Sequence, residues 1–129
     1  MDIVFLIGRI LFGGFFIMTG MNHFTKSQAM TQYAQSKGVA APALAVFVGG
    51  LLLLAGGLSV LLGAYVSVGL WLLVIFLVPT SFLMHNFWAV SDPNAKMGEM
   101  TNFMKNMALT GAALMLLLLE TPWAYALNL

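Results

Sequence analysis

Residues 43–88, ALAVFVGGLLLLAGGLSVLLGAYVSVGLWLLVIFLVPTSFLMHNFW, contain no Asp, Glu, Lys or Arg. A helix crossing a hydrocarbon layer about 30 Å thick needs about 20 mostly apolar residues, each rising about 1.5 Å. This stretch supplies two such helices, 43–62 after Pro42 and 66–88 carrying Pro79, separated only by Gly63-Ala64-Tyr65. So short a turn forces an antiparallel helical hairpin. An open sheet edge in lipid would leave backbone groups unpaired, so strands are excluded.

Working outward, residues 3–21, interrupted by Arg9, and residues 103–119 form two further apolar runs. The expected fold is all-α: an integral membrane four-helix bundle forming a single transmembrane domain over 1–129. Composition agrees, with 61% hydrophobic and 7% charged residues against about 25% charged in soluble domains, and a mean hydropathy of +0.98. The first partner expected is therefore the lipid bilayer. A net charge of +1 from five scattered Lys and Arg residues gives no basic stripe for nucleic acid. The absence of cysteine removes disulfides, thiolate catalysis and Cys-based metal sites.

The first run is expected to be retained rather than cleaved, since Asp2 stands where a secretory signal carries basic residues. Residues 25–38 place Met30, Tyr33, Ala34 and Lys37 at helical spacing, which predicts a short interfacial helix between spans 1 and 2. Pro122, Trp123 and Tyr125 suggest an interfacial anchor. Four spans put both long connections, with Lys26, Lys37 and Lys96, on one side, and Arg9 on the other. The positive-inside rule then predicts cytoplasmic long loops and both termini outside. Gly49, Gly56 and Gly63, with Ala55 and Ser59, form small-residue rows that suit close helix packing, within the bundle or at a homo-oligomer seam.

Polar groups inside a membrane are costly and so informative. Thr19, Asn22 and His23 end the first span; Ser81, His85 and Trp88 end the third; Asn102, Lys105 and Asn106 begin the fourth, each trio at spacings of three or four. Alternating helix direction brings all three stripes to one membrane surface, where His23, His85, Lys105, Asn22, Asn102, Asn106 and Trp88 are candidate ligand-binding residues. Headgroup contact, or snorkelling for Lys105, is the competing reading. Phe12, Phe16 and Phe87 are candidates for the apolar lining. Arg9 lies two turns inside the opposite surface, with Glu120 as its expected ion-pair partner and Asp2 as a second candidate. Methionines and histidines form a Cu(I) donor set, but methionine more often fills irregular packing. Neither metal nor flavin is expected. Asp92 and Glu99 read as part of a solvated connection, and no phosphate loop, HExxH or nucleophile elbow occurs, so no self-sufficient catalytic motif is present.

Taken in order, Gly8-Arg9-Ile10-Leu11-Phe12-Gly13 running to Asn22-His23-Phe24, the glycine-bracketed leucine run 49–56, His85-Asn86-Phe87-Trp88, and Asn102 to Leu109 resemble the DoxX family of small four-span membrane proteins. One departure stands out: many members of that family carry a glutamate where this chain has Val46. The resemblance implies membrane redox chemistry, including a subunit of thiosulfate:quinone oxidoreductase, although eukaryotic members act as cargo receptors or assembly factors. The expected function is an inner-membrane protein binding a quinone-like or other apolar redox molecule, with quinone as the only expected cofactor and a partner redox subunit supplying electrons. In that reading His23 and His85 hydrogen-bond a guest oxygen, Lys105 stabilises an anionic form, and the asparagines orient it. The alternative is a non-catalytic scaffold or assembly partner. Solute transport is disfavoured by the near absence of polar mid-membrane lining.

Overall fold

The computed structural model describes residues 1–129, and every regular element is helical. Five α-helices follow in order: α1 Asp2–Thr25, α2 Ser27–Ser36, α3 Pro42–Leu62, α4 Val66–Met84 and α5 Pro93–Leu117, with a 3-10 turn at Phe87–Ala89. Of these, α1, α3 and α4 are long and apolar enough to cross a membrane. α5 matches them in length, but Asn102, Lys105 and Asn106 interrupt its apolar character.

Three boundaries differ from the sequence expectation, the first being the end of α1 at Thr25 rather than residue 21. α5 begins at Pro93 rather than 103, because the Asp92 carboxylate accepts from the Ala95 N–H at 3.0 Å and proline is already shaped for the first helical turn. Glu99 consequently lies on a helix and not in a solvated connection. α4 stops at Met84 instead of continuing to Trp88. The helix runs through Pro79, and the chain leaves helical geometry only at His85 and Asn86.

α3 is the central helix, packed between α1 and α4, with α5 against α4. Its glycines make this possible. A Cβ at Gly57 would lie 2.8 Å from the Gly13 carbonyl of α1, and one at Gly13 would lie 2.8 Å from the Gly57 carbonyl. On the other face a Cβ at Gly56 would lie 2.8 Å from the Gly69 carbonyl of α4. Gly49, Gly56 and Gly63 are thus used inside the bundle, whereas Ala55 of the second row is exposed. Gly63 ends α3 in the left-handed region at φ 67° and leaves room for Ala126. Phe16, Leu53, Val60, Leu70, Leu73, Leu77, Ala113 and Trp123 form the core. Leu11, Leu51, Leu58, Trp71 and Ile75 remain exposed, as expected of helices that face lipid.

The Arg9–Glu120 ion pair does not form. Arg9 is 2% exposed, and its guanidinium donates to Val60 (3.2 Å), Leu61 (2.7 Å), Ala124 (2.6 Å) and Tyr125 (3.2 Å) carbonyls. The α3 C-terminus supplies unpaired carbonyls and the negative end of its dipole, and the tail brings two more acceptors, leaving Glu120 exposed. Trp123 is correspondingly no lipid anchor: it is buried, edge-on to Phe5 at 4.9 Å. The Leu127 N–H donates to Leu62 and the Tyr65 N–H to Leu129, so the tail closes the bundle end that holds the start of α1. Both termini therefore share one end, opposite α2.

Gly57→Leu is expected to remove the α1–α3 approach and destabilise the protein by about 1–3 kcal/mol or more. Gly111→Ala, where an added Cβ meets nothing within 4 Å, is expected to melt like the parent in detergent. Equal melting of the two variants would refute this account of the packing.

Candidate functional site

At the end away from Arg9, α1 and α5 do not close on each other. A cleft of about 290 Å³ opens there, lined mostly by apolar side chains from all five helices, with Met30, Tyr33 and Ala34 of α2 along one wall. The helical face expected to lie on headgroups therefore covers a cavity in the protein.

Of the seven candidate ligand-binding residues, the cleft brings together His23, His85, Lys105 and Asn106. Asn22, Asn102 and Trp88 do not line it. Asn22 sits 100° around α1 from His23, and Asn102 lies a turn nearer the start of α5. Trp88 is lost from the stripe because α4 ends before His85; it is 53% exposed and packs with Phe82, Phe87 and Phe103 at 5.2–6.0 Å. Phe16 lines the cleft as expected, whereas Phe12 and Phe87 do not, and Phe15 and Phe76 take their place.

His23 is positioned by backbone. Its Nδ1 donates to the Val46 carbonyl at 2.8 Å, and Phe76 meets the ring edge-on at 5.5 Å. Gly49 permits this, since a Cβ there would come 3.0 Å from the His23 Cε1. Lys105 lies 5.7 Å over the Phe15 ring and has no carboxylate partner. Thr19 and Ser81 return their hydroxyl protons to Phe16 and Leu77 carbonyls within their own helices. Met97, Met100 and Met104 of α5 are exposed and Met107 is half-buried, and none of the four lines the cleft with the histidines.

At the mouth stands a cluster only partly anticipated. His85 Nδ1 lies 2.8 Å from Glu99 Oε2, and the Tyr33 hydroxyl donates to Glu99 Oε1, with the Met84 carbonyl 3.3 Å away. Glu99 and Tyr33 were missed as site residues, although the spacing of Glu99, Asn102 and Asn106 follows one helical face once α5 starts at Pro93. Burial raises the Glu99 carboxyl, but hydrogen bonds from Tyr33 and His85, and the nearby His85 and Lys37 charges, outweigh it and hold the group below the ordinary glutamate value. Tyr33 is pushed above the ordinary tyrosine value by burial first, then by its hydrogen bond to Glu99 and that group's charge. It stays protonated, a donor to the carboxylate.

A model of the DoxX family matches residues 4–86. The chain belongs to the DoxX family. Comparison with curated proteins and with solved structures gives no match. With its exposed apolar helices, this DoxX protein is a membrane protein. The matched region carries His23, Gly49 and His85; Glu99, Lys105 and Asn106 come from α5, beyond it.

The lowered Glu99 carboxyl fixes the sign of a pH effect. Its contribution to stability is complete above the ordinary glutamate value and is lost as pH falls through the lower folded-state value. Glu99→Gln is expected to lower stability at neutral pH by about 1–3 kcal/mol and to flatten the acid side of the melting-temperature profile. An unchanged acid limb in the variant would contradict the assignment.

Proposed function

We propose that this DoxX protein binds a quinone-like or other apolar redox molecule in the cleft and serves a membrane oxidoreductase system in a cell inner membrane, with α5 crossing as a fourth span. The observation that carries the reading is the convergence of His23, His85, Lys105 and Asn106 on one apolar cleft. Its volume, about 290 Å³, lies at the lower end of ligand pockets, about 300–1,000 Å³, and suits a single ring with its tail leaving toward lipid. Phe15, Phe16 and Phe76 supply ring contacts. The Lys105 ammonium attracts negative charge developing on a ring oxygen, and His85, held by Glu99 at 2.8 Å, brings a second imidazole to the lining. Electrons come from a partner redox subunit. The scaffold alternative finds no separate support, because Gly49 and Gly56 of α3 are occupied within the bundle.

Protein purified in mild detergent is expected to carry a quinone detectable by mass spectrometry, and His85→Ala to lose at least about 80% of it while remaining folded, its melting temperature lowered no more than that of Glu99→Gln, which removes the same ion pair. An extract holding lipid alone would end this reading.

Both termini are placed outside and the α2 side in the cytoplasm, by the charge bias of Lys26, Lys37 and Lys96. The natural chain has no cysteine, so single cysteines at Lys96 and Leu129 report sidedness directly. An impermeant maleimide added to intact cells is expected to label only the Leu129→Cys variant. Labelling of Lys96→Cys alone reverses the orientation.

A further inference from the structure

We infer that the cleft is built for the reduced, phenolic form of its guest: a hydroquinone whose hydroxyl donates to His23, in preference to the corresponding quinone. The inference rests on the redox-ligand reading above and adds to it a direction of preference. It begins with the tautomer of a buried ring. The Val46 carbonyl only accepts hydrogen bonds, so the His23 Nδ1 at 2.8 Å must carry the proton. No Asp or Glu lines the cleft to hold a second proton on the ring. In the neutral imidazole Nε2 is then an acceptor with a free lone pair.

That acceptor has no partner in the protein, although His23 is 7% exposed. Nε2 is not among the atoms shut away from solvent, where the Trp123 indole nitrogen alone stands unpaired. The ring edge bearing Nδ1 and Cε1 faces α3; the remaining edge belongs to a residue that lines the cleft. Asn106 presents the same pattern. It is 6% exposed and lines the cleft, and its side-chain amide has no hydrogen bond within the protein. Buried polar side chains are ordinarily paired, and the other buried hydroxyls here are: Ser81 donates to Leu77 and Thr110 to the Asn106 carbonyl. Apart from the Trp123 indole nitrogen, shut away at the far end of the bundle, the unpaired polar atoms of these two mostly buried residues belong to the lining of one cavity.

Their chemistry selects the guest. His23 Nε2 requires a donor, Lys105 offers only donors, and the Asn106 amide offers both. A hydroquinone hydroxyl donates to Nε2 while its oxygen accepts from the ammonium or the amide. A quinone carbonyl only accepts, so it leaves the Nε2 lone pair facing another lone pair. Sites built around a hydroxyl reject analogues that lack it, because the protein group is left buried and unpaired.

The test uses the full-length protein in detergent, held anaerobic, with three probes: a short-chain benzohydroquinone, its quinone and its dimethyl ether. Calorimetric titration is expected to give the hydroquinone about tenfold tighter binding than either of the others. In His23→Phe the hydroquinone is expected to lose its advantage over the ether. In Asn106→Leu all three probes are expected to weaken, since each presents an oxygen to the amide. Quinone binding equal to or tighter than hydroquinone in the natural protein overturns this inference and leaves the ring-binding reading in place. Failure of all three probes to bind overturns both. Should His23→Phe fail to fold, the three-probe comparison on the natural protein still decides.

Discussion

The governing constraint is that hydrocarbon offers no hydrogen bonds, so each polar group carried into it must be satisfied by the protein itself. Arg9 shows how fully this is met. Its guanidinium is neutralised by no carboxylate, yet four backbone carbonyls, two at the end of α3 and two in the tail, accept from it. The same arrangement explains why the tail folds back against the start of α1, why Trp123 is buried, and why Gly63 must leave space for Ala126. Ser59 does likewise at the α3–α4 turn, donating to the Ala64 carbonyl at 2.6 Å. One end of the bundle is therefore closed by polar groups that have found partners, the buried Trp123 indole nitrogen excepted.

The other end is its converse. There the same helices carry His23, Lys105 and Asn106 with ring, ammonium and amide capacity unspent, around a space the side chains do not fill. Against a background in which even a lone serine hydroxyl returns its proton to the preceding turn, this unspent capacity is what the proposed ligand would meet. The division also runs from wet to dry. Glu99, His85 and Tyr33 join α5, the end of α4 and α2 at the mouth, where a charged carboxylate is affordable, while the deeper groups are neutral apart from Lys105.

Much of this was readable from the chain. The hairpin followed from 43–88, the α2 helix from Met30, Tyr33 and Ala34, and the convergence of His23, His85, Lys105 and Asn106 from helix direction alone. What escaped depended on interactions that periodicity does not encode. Arg9 was given a carboxylate because backbone acceptors are invisible in a list of side chains. Trp88 was assigned to a helical stripe because nothing local marks the exact residue at which α4 ends. Glu99 was set aside because α5 was started at its first apolar residue instead of at its Asp92-Pro93 cap, and a helix boundary moved by three turns carries every polar residue within it to a new role.

Val46 joins the packing of α3 to the chemistry of the cleft. A buried valine, it lines the cleft and engages His23 through its carbonyl rather than its side chain. A carboxylate beside the imidazole would favour a second ring proton and turn Nε2 from acceptor into donor. Without one, the ring keeps a lone pair, and Lys105 is the only charge of fixed sign on the lining. Val46 thus sets which ring nitrogen of His23 is left free toward the proposed guest, and it does so through a residue that contributes no functional group of its own.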